Sequence, residues 1–111
     1  MINEEGFKKV CKYSELKEKV GKQFFVDDVE IAIFKVDGRV YALSNICPHQ
    51  KTHLIYEGEI ENDKVLCPIH GWAFELSTGN LAGNRKGLTS YEVKIIDNDV
   101  FVKVSKKSLN W

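Results

Sequence analysis

Two short stretches of this 111-residue chain hold side chains able to bind a metal: Cys47-Pro48-His49 and Cys67-Pro68-Ile69-His70. Each offers one thiolate and one imidazole, ligand types that can hold zinc or iron. Both prolines of the chain directly follow these cysteines, and a fixed φ with no backbone donor stiffens the loop presenting each sulfur. Zinc is weighed first, because it commonly takes two thiolates and two imidazoles. Structural zinc sites, however, usually bring cysteines in close pairs. Here each loop mixes its ligands, at Cys-x-His and Cys-x-x-His, with seventeen residues between His49 and Cys67.

Strands must position these loops. Short alternating runs dominate the chain and predict an all-β domain. Residues 22–26, 30–36 and 39–44 read as strands, the last two joined by Asp37-Gly38, a hairpin turn that requires positive φ. The strand over 39–44 delivers the chain to Cys47. Residues 58–60 and 64–66 pair across Glu61-Asn62-Asp63, and the second of them runs into Cys67. A strand over 72–76 closes in Ser77-Thr78-Gly79-Asn80, a run of turn-forming residues. Residues 81–89 read as loop. A final hairpin joins 91–96 to 100–104, with Val100, Val102 and Val104 on one face. The one helix candidate spans 14–20, capped by Ser14 and stopped by Gly21.

Sixteen basic and sixteen acidic residues balance, which argues against a nucleic-acid or anionic-membrane surface built on net positive charge. No run approaches the roughly 18 apolar residues of a spanning helix. The acidic start Met1-Ile2-Asn3-Glu4-Glu5 lacks the basic and apolar regions of a signal peptide. These features predict one soluble, cytoplasmic domain over 1–111. Three cysteines are an odd count for a disulfide scaffold, and Cys11, ending an apolar alternation, is expected in the core. No Ser-His-Asp order, phosphate-binding loop or dinucleotide fingerprint is present. The chain reads as a carrier that serves a partner enzyme, not as an enzyme.

Mixed loops suit two irons sharing one site, with two thiolates on one and two imidazoles on the other, as in a Rieske 2Fe-2S centre. The chain resembles the Rieske-type ferredoxins over about 7–104. The resemblance is carried by Cys47-Pro48-His49, Leu54, Gly58, Cys67-Pro68-Ile69-His70-Gly71-Trp72, Phe74 and Thr78-Gly79. It departs from a common family form at Gln50-Lys51, where a glycine often follows the first histidine. The resemblance implies a Rieske-like antiparallel β sandwich or barrel with a small cluster-binding subdomain over about 45–76. It also implies one 2Fe-2S cluster per chain, with Cys47 and Cys67 on one iron and His49 and His70 on the other. The implied partners are an NAD(P)H-linked reductase and a terminal oxygenase or other redox acceptor. The alternatives are a small noncatalytic subunit of a reductase such as nitrite reductase, a zinc-stabilised interaction module, and a cluster-based redox sensor.

High-potential relatives place extra cysteines, a serine and a tyrosine around the cluster. The matching positions here are Ile69, Trp72 and Phe74, which offer neither a disulfide nor a hydroxyl. Fewer donors to sulfur place the expected potential toward the low end of the roughly −150 to +300 mV Rieske range. With His49 and His70 assigned, His53 alone remains, too few histidines for a second, mononuclear iron held by two histidines and a carboxylate. His53 is expected on the surface, with a hydrogen bond near the cluster as the sharper alternative. Trp72 and Phe74 are expected to shield the site by packing. Glu57, Glu59, Glu61 and Asp63 would share one face of an extended backbone, as a solvated edge or an acidic docking patch. Because imidazole ligands titrate, the midpoint potential should fall as pH rises above their pKa in the oxidised state. Voltammetry across neutral and alkaline pH checks this, and a flat response would contradict it.

Overall fold

The computed structural model describes residues 7–26, 28–46, 53–68, 72–81 and 87–104. Among the described residues, nine strands form two antiparallel sheets. The larger has the order β1-β9-β8-β4-β3-β2, from β1 (Phe7–Lys12), β2 (Lys22–Val26), β3 (Val29–Val36), β4 (Arg39–Ser44), β8 (Ser90–Ile96) and β9 (Asp99–Lys103). The smaller has the order β5-β6-β7, from β5 (Glu59–Glu61), β6 (Lys64–Leu66) and β7 (Ala73–Glu75). The larger sheet curls into a nearly closed barrel. Its edge strands β1 and β2 flank a groove of about 230 Å³ lined by Lys8, Lys9, Val10, Phe24, Phe25 and Val26.

The two sheets meet through β3. Its residues Ile31 to Phe34 are fully buried, and the period-2 pleat sends them to opposite sides. Ile31 and Ile33 join Cys11, Leu16, Val26, Ala42, Val100 and Val102 in one core. Ala32, Phe34 and Val36 join Leu43, Ile55, Val65, Cys67, Phe74 and Leu76 in the other. This strand is therefore a continuous apolar run buried on both faces, where the sequence pattern suggested alternation. The expected place of Cys11 in the core is borne out, and Val100 and Val102, expected on one face, are both buried in the same core.

Turn chemistry fixes the registers. Asp37 and Gly38 have φ of 54° and 82°, which closes the β3–β4 hairpin at Val36↔Arg39. Asp97 and Asn98, at 48° and 72°, do the same for the β8–β9 hairpin at Ile96↔Asp99. The turn there is one residue shorter than the sequence suggested.

The helix expected over 14–20 does not form. A single 3-10 turn, Tyr13–Glu15, stands in its place, and Ser14 engages Asn98 instead of capping a helix: its backbone N–H donates to Asn98 Oδ1 at 3.2 Å. The chain then runs beside β3, where Lys19 N–H donates to the Lys35 carbonyl at 2.7 Å and Glu18 accepts from the Asp37 backbone N–H. Tertiary contact overrides weak local propensity here, because Leu16 fills the barrel core while Val20, one helical turn later, stays exposed.

Gly79 closes the turn after β7, with φ of 81°. Its N–H donates to the Glu75 carbonyl at 2.6 Å and its own carbonyl accepts from Leu88 N–H at 2.7 Å. A Cβ at this position would run into the Leu88 carbonyl oxygen. Gly79→Ala should therefore lower stability by about 1–3 kcal/mol, read as a reduced urea midpoint at unchanged m-value.

Candidate metal centre

Cys67 and Pro68 of the second motif follow β6. β6 and β7 pair through Leu66↔Ala73, and just beyond that pair Cys67 N–H donates to the Trp72 carbonyl at 2.8 Å. Cys67 is 2% exposed and belongs to the core shared by the two sheets. Phe74 is fully buried and Trp72 packs against the same core, as expected of shielding side chains. His70 lies outside the described residues.

Cys47 and His49 of the first motif also lie outside the described residues. The residues that flank them are well anchored. β4 ends at Ser44, and the next residue, Asn45, is fully buried. Its Nδ2 donates to Glu30 Oε2 at 2.6 Å and to the His53 carbonyl at 3.0 Å. Its Oδ1 accepts from Tyr56 N–H at 2.8 Å. Its backbone N–H donates to the Glu30 carbonyl, and its own carbonyl accepts from Ile55 N–H. A 3-10 turn, Ile55–Glu57, then leads into β5.

His53 is only partly the surface residue expected. Its ring is 56% exposed, yet Nδ1 lies 2.7 Å from Oε1 of Glu30, whose side chain is 8% exposed. Gln23 Nε2 donates to the other Glu30 oxygen at 2.7 Å. Burial alone would raise the Glu30 pKa, but hydrogen bonds with His53, Asn45 and Gln23, with the charge of His53, outweigh it and hold the carboxyl below its usual range. Sequence reasoning missed Glu30 and Asn45. The available signal was one polar residue, Asn45, placed between a strand and an apolar Ile46 two residues before Cys47.

The acidic run does not share one face. Glu57 sits in a 3-10 turn, Glu59 and Glu61 lie on β5, and Asp63 follows the turn at Asn62, whose φ is 57°. All four are exposed. Glu57 and Glu59 line a groove of about 380 Å³ together with Leu66, Cys67 and Pro68. Two carboxylates thus stand beside the one described ligand candidate.

A cysteine buried just beyond the β6–β7 pairing and bordered by a groove is the kind of donor that a thiolate-bound cluster needs. The architecture is that of known structures: a candidate NADH-dependent nitrite reductase small subunit from Mycobacterium tuberculosis superposes with a TM-score of 0.85 at 22% identity, over 93% of this chain and 98% of that one. The family model for the Rieske [2Fe-2S] domain matches residues 6–104, and the chain belongs to this family. Membership brings one 2Fe-2S cluster per chain and sets aside the zinc-stapled module.

Relatives include the biphenyl dioxygenase ferredoxin subunit of Pseudomonas sp. (strain KKS102), 30% identical over 106 residues and covering 94% of this chain and 97% of that one. Human apoptosis-inducing factor 3 is 30% identical over 102 residues, 90% of this chain, which spans only 17% of that protein's length. Among the described residues no helix is long and apolar enough to cross a membrane.

Because Glu30 is ionised at lowered pKa in the fold, its contribution to stability is full above the ordinary carboxylate pKa of about 4.3. It is lost as pH falls through the lower folded-state value. Urea unfolding at pH 7 and pH 3 should show wild type losing more stability than Glu30→Gln between the two. Equal losses would remove Glu30 from the acid response.

Proposed function

We propose that this chain is a one-electron carrier in which Cys47 and Cys67 hold one iron and His49 and His70 the other, drawing electrons from an NAD(P)H-linked reductase and delivering them to a terminal oxygenase in the cytoplasm. One observation carries the proposal: the family match spans both Cys/His motifs, and its described cysteine, Cys67, is buried and held by the Trp72 carbonyl just beyond the β6–β7 pairing. The cluster, when bound, accepts and releases one electron at a time.

The protein's own residues supply the setting. Cys67 contributes a thiolate from a backbone that the Trp72 bond holds in place. Phe74, Val65 and Ile55 pack behind it and keep water from that side. On the open side, Glu57 and Glu59 offer negative charge to a basic partner surface. The similarity to the biphenyl dioxygenase ferredoxin subunit favours an oxygenase as acceptor. The fold shared with a candidate nitrite reductase small subunit supports a second reading, as a noncatalytic reductase subunit.

Anaerobic purification with iron and sulfide analysis and electron paramagnetic resonance of the dithionite-reduced protein is the test. The proposal expects two irons, two acid-labile sulfides and a rhombic signal of low average g, with the signal lost in Cys47→Ser and in His70→Ala. Zinc without sulfide would overturn it. With the reductase in hand, Glu57→Lys and Glu59→Lys should slow reduction and flatten its salt dependence; unchanged rates would move the docking surface elsewhere.

A further inference from the structure

Asn45 is the one fully buried polar side chain among the described residues, and its contacts join both ends of the stretch that carries Cys47 and His49. It stands two residues before Cys47. Its side chain reaches the His53 carbonyl and Tyr56 N–H on the far side of that stretch, and its carbonyl accepts from Ile55 N–H. The Glu30 carboxylate spans the same gap: one oxygen meets His53 Nδ1 and the other accepts from Asn45 Nδ2.

Resting on the ligand assignment proposed above, we infer that Glu30, Asn45 and His53 form a clasp that positions Cys47 and His49 for the cluster. The strand ladder does not do this work, because β4 ends at Ser44 and β5 begins only at Glu59. Among the described residues between them, Asn45 and the Glu30 carboxylate provide side-chain hydrogen bonds that tie the chain to the sheet, and Ile55 packs into the core. Glu30 is fixed in turn by β3, where Val26↔Val29 and Ile31↔Ser44 bracket it in the ladders on either side. Its third partner, Gln23, comes from β2. A carboxylate that binds both loop ends couples them, so losing either His53 or Glu30 frees the same contact. Groups that orient metal ligands from behind commonly govern metal retention, and here they sit at the loop ends. The strands keep their own pairing without them, which separates a positioning role from a general structural one.

The experiment uses the holoprotein in wild-type form and as Asn45→Asp, Glu30→Gln, His53→Ala and the Glu30→Gln/His53→Ala double variant. Three properties are read: the g-values of the reduced cluster, its midpoint potential, and the rate of cluster bleaching by an iron chelator. The clasp predicts bleaching roughly ten- to hundredfold faster in each single variant, with shifted g-values and potential. The double variant should be no worse than the more affected single one, because both act through one contact. Unchanged g-values, potential and bleaching in Glu30→Gln and His53→Ala would overturn the clasp. Those two decide the matter even if Asn45→Asp does not accumulate, since His53 is half exposed and Gln keeps the size of Glu30. A wild-type protein without iron, sulfide or signal would overturn the ligand assignment together with the clasp, whereas a loaded wild type with indifferent variants overturns the clasp alone.

Discussion

Burial of β3 on both of its faces is the constraint on which the two sheets depend. A three-stranded sheet as short as β5-β6-β7 cannot build a core alone, and it gains one by laying Val65 and Phe74 against Ala32, Phe34 and Val36. The other face of the same strand, through Ile31 and Ile33, closes the barrel. Each large apolar side chain removed from water contributes about 1.5–3 kcal/mol, so the joint between barrel and small sheet is apolar and tight. Cys67 lies in that joint, and the position of its sulfur is set by the packing that holds the molecule together.

The described residues that flank the first motif are held by different physics. No strand pairing reaches the described residues 45–46 and 53–58, and hydrogen bonds from one asparagine and one carboxylate tie them to the sheet. A buried amide without partners costs about 1–3 kcal/mol, and Asn45 avoids that cost only when His53, Tyr56 and Glu30 are all in place. The network is therefore selective: it is satisfied in one arrangement of the loop ends and penalised in others. Apolar packing holds Cys67, and in the proposed arrangement polar contacts of Asn45 and Glu30 hold the residues that flank the first motif.

Much of this was legible in the chain. Residues 22–26, 39–44 and 64–66 form the strands their patterns announce, because alternating or β-branched runs there are bounded by Asp-Gly and Asn-Asp turns of clear chemistry. Sequence spacing alone pointed to the metal motifs, since two mixed Cys/His loops have few uses. The helix over 14–20 was not legible, because Leu16 and Glu18 answer to the barrel core and the β3–β4 turn, neither of which is local. Glu30 and His53 are 23 residues apart, and no local pattern announces a side-chain contact at that range. The acidic run misled for a related reason: its even spacing implies one face only if the backbone stays extended, and the turns at Glu57 and Asn62 break it.

A neutral chain also limits how an electron-transfer partner could be attracted. Opposite charges cancel over distance, and in physiological salt fields decay within about 8 Å, so only charges at the contact itself can steer a partner. Glu57 and Glu59 meet that condition, since they line the same groove as Cys67, while Glu61 and Asp63 do not line it. Short-range attraction with little net charge favours encounters that form and dissolve quickly, as weak redox complexes do. A carrier that must leave one partner to reach the next is served better by two well-placed carboxylates than by a broad acidic face.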